Sequence, residues 1–376
     1  MTDALYPWHK GGKEVRYLQL LDGLPKQGMD VDVYSMKWWS EAPNEIRFPA
    51  GSLSYTAICP RVPLYRCARR STWQAVLFAV STIRLLRRRF DVIEADQMPY
   101  LQLFPLRAIA WLKRVPLVIT WNEVWGRDRW RSYIGRLGFV AAFIERISIK
   151  LPDAIIAISS GTGDKLRENG ANPQRTFVVP VALDLEHLLN APEDELAPEL
   201  LFVGRLLEHK HANLAIEATR ILVERGVDVH LGIVGIGPEE LRLRSLVADL
   251  NLGSRVKFYG SIDSQQELWS LVRGSRVLLA PSVREGLGLV VAESLALGTP
   301  VVCALHEENE SSKLVGSSTG SLVPPFDAPA IANAAEYWLD VSTPRAQRMA
   351  TFLAEHEELT VGAMSALYAE ILRNVA

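Results

Sequence analysis

Two glutamates with seven residues between them, Glu285 and Glu293, enclose two glycines in an apolar segment of the chain. The segment 278–302 is predicted to form a buried strand, a loop, a helix that begins near Gly288 and a second buried strand. Gly286 and Gly288 would expose backbone N–H groups at the positive end of the helix dipole, which favours phosphate. Carboxylates beside a phosphate accept hydrogen bonds from hydroxyls, so the pattern suggests a ribose and a sugar flanking a diphosphate. A helix start with two solvated glutamates is the alternative, and this segment alone favours neither.

Two cations follow another apolar run, LLFVG, in the sequence VGRLLEHK. The guanidinium of Arg205 could bind two phosphate oxygens at once, whereas the ammonium of Lys210 would act as a point charge. Two solvated cations in a loop are the competing interpretation.

Both segments resemble glycosyltransferase family 4. LLAPSVREGLGLVVAESLALGTPVV is similar to its E-x7-E signature, with Leu287 in place of an aromatic residue and Ser294 in place of alanine, and VGRLLEHK is similar to its G-R-x4-K pattern. The resemblance extends from Asp3 to about Leu339. It implies the GT-B fold, in which two doubly wound Rossmann-like α/β domains face each other across a cleft. It also implies a retaining, metal-independent hexosyltransferase that uses a nucleotide-diphosphate sugar of the mannose or glucose type.

The resemblance assigns roles to the motif residues. Arg205 and Lys210 would hold the diphosphate and stabilise the leaving group, and Glu285 would orient the transferred sugar, so these three are the predicted catalytic residues. Glu293 would bind the ribose hydroxyls. Backbone N–H groups of the loop and helix start would complete the donor site, at Gly286, Leu287, Gly288 and Leu289.

The N-terminal half adds predicted donor-binding residues at two places. Gly11 and Gly12 would approach the same diphosphate, since only glycine allows very close backbone contact. The family usually has a histidine where this chain has Asn122, and asparagine can hydrogen-bond a sugar hydroxyl but cannot carry a proton. That departure leaves open a catalytically weak or inactive nucleotide-sugar-binding partner protein of the same fold. A hydrolysing or epimerising enzyme is a third interpretation.

Apolar runs alternating with helical patterns predict the elements that position these residues. Strands are predicted at 30–35, 92–95, 117–121, 154–159, 177–181, 200–204, 230–235, 256–260, 277–281, 300–304 and 321–325. Helices are predicted at 71–89, 101–113 and 134–151, and the segment 38–65 is predicted to be irregular. The predicted domains are 1–190, which binds the acceptor, 191–356, which binds the donor, and a helix at 357–376 that packs back on the first domain.

The Gly-rich segment near residue 11 requires a buried strand before it in a doubly wound fold. Met1 to Ala4 is too short to supply one. The sequence therefore predicts that the first, central strand is missing and that the gene product begins further upstream.

Composition limits the other possibilities. The cysteines, Cys59, Cys67 and Cys303, lack the spacing of a metal site, and no secretion signal or membrane-spanning run is apparent. Asp30 and Asp32 would share one face of a strand, so we predict no metal site and no cofactor beyond the sugar-nucleotide co-substrate. The expected location is the cytoplasm, with peripheral association on the inner face of the plasma membrane.

Positive charge is concentrated in one part of the chain. Residues 61–150 carry 17 Lys and Arg against 6 Asp and Glu, so this block is basic within an otherwise acidic protein. We expect it to serve a lipid-linked or growing glycan acceptor and an anionic membrane surface, not nucleic acid. Ser71–Arg89 would be either a membrane-surface helix or a helix whose apolar stripe is buried. Such an enzyme would act in cell-surface polysaccharide or glycolipid synthesis.

Overall fold

The computed structural model describes residues 1–9, 11–39, 46–47, 49–66 and 69–376. The chain forms two compact units. Unit 1 comprises Met1–Ala182 and Val361–Ala376, and unit 2 comprises Leu183–Thr360.

The described elements alternate between strands and helices through most of the chain. The strands are β1 (Asp30–Met36), β2 (Ile46–Arg47), β3 (Ser52–Cys59), β4 (Tyr65–Arg66), β5 (Arg69–Arg70), β6 (Ile93–Asp96), β7 (Leu117–Trp121), β8 (Ala154–Ala157), β9 (Thr176–Val178), β10 (Leu200–Val203), β11 (Leu231–Val234), β12 (Val256–Gly260), β13 (Val277–Ala280), β14 (Val301–Ala304) and β15 (Gly320–Val323). The α-helices are α1 (Gly12–Lys26), α2 (Thr72–Ser81), α3 (Leu103–Lys113), α4 (Gly126–Ile134), α5 (Gly138–Ser148), α6 (Ser160–Glu168), α7 (Leu185–Leu189), α8 (Ala212–Glu224), α9 (Glu240–Asp249), α10 (Gln265–Gly274), α11 (Leu289–Ala296), α12 (Ala328–Asp340), α13 (Arg345–Glu355) and α14 (Val361–Val375).

Unit 2 is built on one parallel sheet with the strand order β12-β11-β10-β13-β14-β15. Its strands are short apolar runs, because helices cover both faces of such a sheet. Strand order reverses between β10 and β13, which pair directly through Leu200 with Val277 and Leu201 with Leu278. In open α/β sheets, ligands bind beyond the carboxyl ends of the strands at such a reversal.

Unit 1 contains two main sheets, β1-β3-β2 and the parallel β6-β7-β8-β9. Backbone bonds from the first residues reach both sheets, since the Asp96 N–H donates to the Met1 carbonyl at 3.1 Å and the Thr2 N–H donates to the Tyr34 carbonyl at 3.3 Å. The C-terminal helix α14 packs on α1, and buried Tyr368 lies in their shared core.

One prediction about unit 1 is wrong, and two predicted helices have different bounds in the structure. The segment expected to be irregular contains β3, which runs parallel to β1, and the prolines at 49 and 60 flank this strand without interrupting it. The helix expected at 134–151 is present as α5 but begins only at Gly138, after a 3-10 turn, because Gly135 adopts a positive φ of 66° that ends the preceding helix α4. The predicted helix at 71–89 is α-helical only to Ser81 and continues as a 3-10 helix to Arg87.

The units divide at 182/183 and 360/361, whereas the sequence suggested 190/191 and 356/357. Helix α7 lies in unit 2 because Leu188 is fully buried in the core of that unit. The Leu183 N–H also donates to the Leu359 carbonyl at 2.7 Å, so the two crossing segments hydrogen-bond within unit 2.

Candidate active site

An ion pair joins two of the predicted catalytic residues in unit 2. Lys210 Nζ contacts Glu285 Oε1, and both side chains are about one-fifth exposed, at 20% and 19%. Lys210 ends the 3-10 turn after β10, and Glu285 lies in the loop after β13. These residues meet because β10 and β13 are neighbours at the reversal of strand order.

The loop that carries Glu285 is fixed by backbone bonds to the segment after β14. The Glu285 N–H donates to the Glu308 carbonyl at 3.0 Å, and the Glu310 N–H donates to the Glu285 carbonyl at 3.1 Å. Between them, buried Asn309 donates from Nδ2 to the carbonyls of Ser282 and Ala304, at 2.9 and 2.8 Å. The backbone at Glu285 is therefore held on both sides before any ligand binds.

Gly288 sets the start of helix α11. Its φ is +73°, and an added Cβ would lie 2.5 Å from Cβ of Ser311. No described side chain caps this helix start, so its first N–H groups are available to a ligand. Gly286 lies in the loop ahead of it, Leu287 packs against the unit 2 core, and Leu289 is the first helical residue. The local backbone therefore has the features expected of a phosphate site.

Arg205 is exposed in the loop after β10, and its side chain meets no partner among the residues that the structure describes. The loop itself is tightly packed: a Cβ at Gly235 would lie 1.9 Å from the Gly204 carbonyl oxygen, and one at Gly237 would lie 2.2 Å from the Leu206 carbonyl oxygen. These two glycines therefore serve backbone packing between the β10 and β11 loops. Arg205 has the freedom to bind an anion that Lys210, paired with Glu285, lacks.

Glu293 has different neighbours from Glu285. Its Oε1 accepts a hydrogen bond of 3.0 Å from Nε2 of Gln265, on α10. Burial raises the pKa of the Glu293 carboxyl to about 7, against the opposing influence of Trp269 and Gln265. The two glutamates that the sequence pairs by spacing thus occupy distinct electrostatic environments.

The remaining predicted donor-binding residues lie in unit 1. Gly11 is the N-cap of α1 with an extended φ of −171°, and an added Cβ would meet only the flexible end of Glu14. Gly11 and Gly12 are both exposed. The unliganded backbone therefore gives no conformational reason for glycine at Gly11, and any requirement would come from a ligand.

Asn122 follows β7 and is joined to a buried charged cluster that the motif analysis missed. Its Nδ2 donates to Asp96 Oδ1 at 2.9 Å, and Asp96 Oδ2 lies 2.7 Å from Lys13 Nζ. Lys13 also donates to Asp3 Oδ1 at 2.9 Å, and Arg70 pairs with Asp3 Oδ2. We name Asp3, Lys13, Arg70 and Asp96 the charged cluster.

Within this cluster, burial and the neighbouring cations shift the pKa values of the two carboxyl groups in opposite directions. Burial raises the pKa of Asp96 to about 6, with Lys13 opposing the shift. Burial would likewise raise the pKa of Asp3, but Lys13 and Arg70 outweigh it and hold that pKa below its ordinary value. Both carboxylates are fully buried, at 0% exposure, so their ion pairs are shielded from solvent.

Sequence signals for the supporting residues were weak. Asp96 is a polar residue at the end of a buried strand, a position that often indicates a functional residue in a parallel sheet. Lys13 and Arg70 have no sequence context that would indicate a functional role. Asn309 and Ser311 act through contacts with segments distant in the chain, and their local sequence gave no indication of this role.

Two family descriptions match the chain: Glycosyl transferases group 1 over residues 190–352 and Glycosyltransferase Family 4 over residues 10–187. The putative colanic acid biosynthesis glycosyltransferase WcaL of Escherichia coli (strain K12) is 33% identical over 190 residues, covering 48% of this chain and 46% of that protein. An MMP alpha-(1->4)-mannosyltransferase of Mycolicibacterium hassiacum is 26% identical over 337 residues, 79% of this chain and 78% of that one. The match thus spans about half the length of the first relative and most of the second.

Among solved structures, sucrose-phosphate synthase from Thermosynechococcus elongatus is similar to this chain with a TM-score of 0.72. The match has 22% sequence identity and covers 97% of this chain and 93% of the other. At this identity the likeness establishes the fold, which is GT-B.

Proposed function

Because this chain belongs to the glycosyltransferases of the GT-B fold, we propose that it transfers a hexose from a nucleotide-diphosphate sugar to a lipid-linked or growing glycan acceptor. The proposed donor sugar is of the mannose or glucose type, and the proposed pathway is cell-surface polysaccharide or glycolipid synthesis. The anomeric configuration is retained and no metal ion takes part. The observation that carries this proposal is the Lys210–Glu285 pair beside the uncapped start of α11, at the strand-order reversal of unit 2.

The proposed chemistry needs no protein nucleophile. The bond between the anomeric carbon and the diphosphate breaks, and its electron pair goes to the departing phosphate oxygen. The acceptor hydroxyl attacks from the face that the leaving group vacates, and the same phosphate oxygen takes its proton. Arg205, Lys210 and the α11 N–H groups stabilise the charge that develops, while Glu285 orients the sugar. Glu293 binds the ribose, and Gly11, Gly12 and Asn122 contribute donor contacts.

Donor turnover by the purified chain tests these roles, with UDP-glucose and GDP-mannose as probes and release of the nucleoside diphosphate as the signal. Arg205→Ala and Glu285→Ala are each expected to lower kcat by about 10²–10³, the effect of losing one group that stabilises transition-state charge. Glu293→Ala is expected mainly to raise KM, since ribose contacts are equal in the ground and transition states.

Arg220→Ala is the matched control for Arg205→Ala, because Arg220 is an arginine of unit 2 in an exposed pair with Glu224. Full kcat in Arg205→Ala at saturating donor would contradict the assignment. Tight donor binding without turnover in the wild-type chain would instead support the non-catalytic alternative.

The proposed lipid-linked acceptor implies a membrane surface, and the exposed face of α2 and its 3-10 extension supports one. Trp73, Val80 and Ile83 are 62–66% exposed and lie outside the buried side of this segment, which includes Phe78 and Leu85. Residues 71–90 include no acidic residue and end in an exposed group of arginines, Arg84, Arg87, Arg88 and Arg89. Basic residues near anionic lipid each contribute about 1 kcal/mol.

Helix α5 and the 3-10 turn before it present a second exposed apolar face. Leu137, Phe139 and Phe143 are 63–65% exposed. The acid on this helix, Glu145, is buried and accepts hydrogen bonds from the backbone of Trp125 and Gly126. Among the helices of the described residues, none has the length and apolarity needed to cross a bilayer.

Flotation with liposomes of phosphatidylglycerol and phosphatidylcholine tests association with a membrane surface. The protein is expected to float at low salt, to be released at high salt, and to lose most binding when Arg84, Arg87 and Arg88 are replaced by serine. Serine at Arg220, Arg225 and Arg242 in unit 2 is the matched control. Unchanged recovery of the first variant with the liposomes would contradict the assignment.

A further inference from the structure

The carboxamide of Asn122 is hydrogen-bonded on one side only. Its Nδ2 donates to Asp96 Oδ1 at 2.9 Å, and its backbone N–H donates to Oε1 of Gln97. No donor within the described ranges contacts its Oδ1, and the residue is partly exposed at the carboxyl end of β7. The amide oxygen is thus left for a ligand, next to the second N–H of Nδ2.

The charged cluster determines that the amide nitrogen faces Asp96 and that the amide oxygen lies on the other side. Lys13 Nζ lies 2.7 Å from Asp96 Oδ2, and Asp96 is fully buried beside it. An ionised carboxylate can only accept hydrogen bonds, so it must face the amide nitrogen and not the amide oxygen. With its pKa at about 6, Asp96 is ionised at pH 7.5. Lys13 is itself fixed by Asp3, which accepts further hydrogen bonds from Arg70 and Gln74.

We propose that Asp96 is a positioning residue that turns the amide oxygen of Asn122 toward the substrate, so that this position accepts a hydrogen bond from a hydroxyl of the donor sugar. This inference rests on the proposed function, because it takes Asn122 as a donor-binding residue. It specifies the direction of the hydrogen bond: the sugar hydroxyl donates and the protein accepts. A sugar in which fluorine replaces that hydroxyl cannot donate and is therefore rejected.

Exchanging the two side chains tests the direction of this hydrogen bond. Asn122→Asp alone places two carboxylates in contact, and Asp96→Asn alone frees the amide of Asn122 to turn. Each is expected to lower kcat/KM for the accepted donor, UDP-glucose or GDP-mannose, by about 10- to 100-fold, the range for a lost hydrogen bond to a polar or charged group. In the double variant the amide at position 96 donates to the carboxylate at position 122, whose other oxygen still accepts from the substrate. The double variant is therefore expected to regain most of the lost kcat/KM.

The opposite direction of hydrogen bonding predicts a different result. If the amide nitrogen of Asn122 served the substrate, Asn122→Asp would remain defective whatever stood at position 96, and this outcome would overturn the proposal. Asp153→Asn is the matched control, because the Asp153 carboxylate likewise accepts a hydrogen bond from a residue of the β7 region, the Leu117 N–H at 2.9 Å, but at the opposite end of the strand. It is expected to leave kcat/KM unchanged, and thermal melting of all variants separates a general loss of stability from the rescue pattern.

A measurement without substrate separates this proposal from the proposed function. In the free protein labelled with 15N-asparagine, the side-chain amide of Asn122 is expected to exchange slowly with solvent and to lose that protection in Asp96→Asn. Fast exchange of this amide in the wild-type protein would overturn the orientation even if the enzyme turned over donor. Slow exchange of the Asn122 amide together with no turnover of either nucleotide sugar would overturn the proposed function but would support the proposed orientation of the Asn122 side chain.

Discussion

Binding of the donor is expected to release a proton from Glu293. The pKa of this carboxyl is about 7 in the unliganded protein, and burial is the main cause. Ribose hydroxyls that donate hydrogen bonds to the carboxylate would favour its charged form and lower the pKa again. Donor affinity should therefore rise with pH until Glu293 is ionised in the free protein.

The expected change in Kd follows from the fraction of the free protein in which Glu293 is ionised. At pH 5.5, a group with a pKa near 7 is ionised in about 3% of molecules, so Kd should be weaker by about 30-fold than at pH 8.5. Below pH 7 the dependence approaches tenfold per pH unit. Glu293→Gln cannot ionise, so its Kd should vary much less over this range, although it should bind the donor more weakly than wild type does at pH 8.5.

Titration calorimetry of UDP-glucose or GDP-mannose in buffers of different ionisation enthalpy measures both Kd and the protons released. An intact nucleotide sugar is the required ligand, because a free nucleoside diphosphate has a terminal phosphate that titrates in the same pH range. Close to one proton should be released per donor bound at pH 6, and close to none in Glu293→Gln. The reasoning is refuted if Kd is independent of pH from 5.5 to 8.5, or if Glu293→Gln keeps the wild-type slope.

Three further outcomes are expected. Because the folded-state pKa of Glu293 lies above its ordinary value of 4.5, its stabilising contribution is present below pH 4.5 and lost as the pH rises through 7. Chemical denaturation should therefore show unliganded Glu293→Gln to be more stable than wild type at pH 8, by up to about 3 kcal/mol, with no gain at pH 4.5. Gly288→Ala should destabilise the protein by about 1–3 kcal/mol through strain at positive φ and collision with Ser311, whereas Gly253→Ala, which meets nothing within 4 Å, should not. EDTA should leave donor turnover unchanged, and an absolute requirement for Mg²⁺ would contradict the metal-independent mechanism.

The sheet of unit 2 could be predicted well from the sequence. Its predicted strands agree with the structure to within about two residues at each end, the usual uncertainty of such boundaries. Strands buried on both faces appear as continuous apolar runs, and the helices between them are amphipathic. Strand β3 was missed because only part of it is buried, and nearby prolines suggested a loop. The break at Gly135 depends on a backbone angle that no periodicity reports.

The candidate site was predictable only where its residues form a local pattern. Glu285, Gly288 and Glu293 lie within one strand-loop-helix segment, so their spacing could be matched to the family signature that identified them. The charged cluster is different in kind: Asp3, Lys13, Arg70 and Asp96 come from four separate segments and meet only in the folded unit. The sequence does not show that these charged residues are buried, because the residue type is the same for a solvated lysine and a buried one.

The two glutamates show why residue type and spacing do not determine chemistry. Glu285 lies beside a cation because the fold places β10 next to β13, and Lys210 follows β10. Glu293, on the helix that follows, has an amide partner and no such cation among the described residues, so desolvation dominates and its pKa rises to about 7. Near neutral pH one carboxylate is thus held in an ion pair while the other can exchange a proton with solvent. It follows that the proton linkage of donor binding belongs to Glu293.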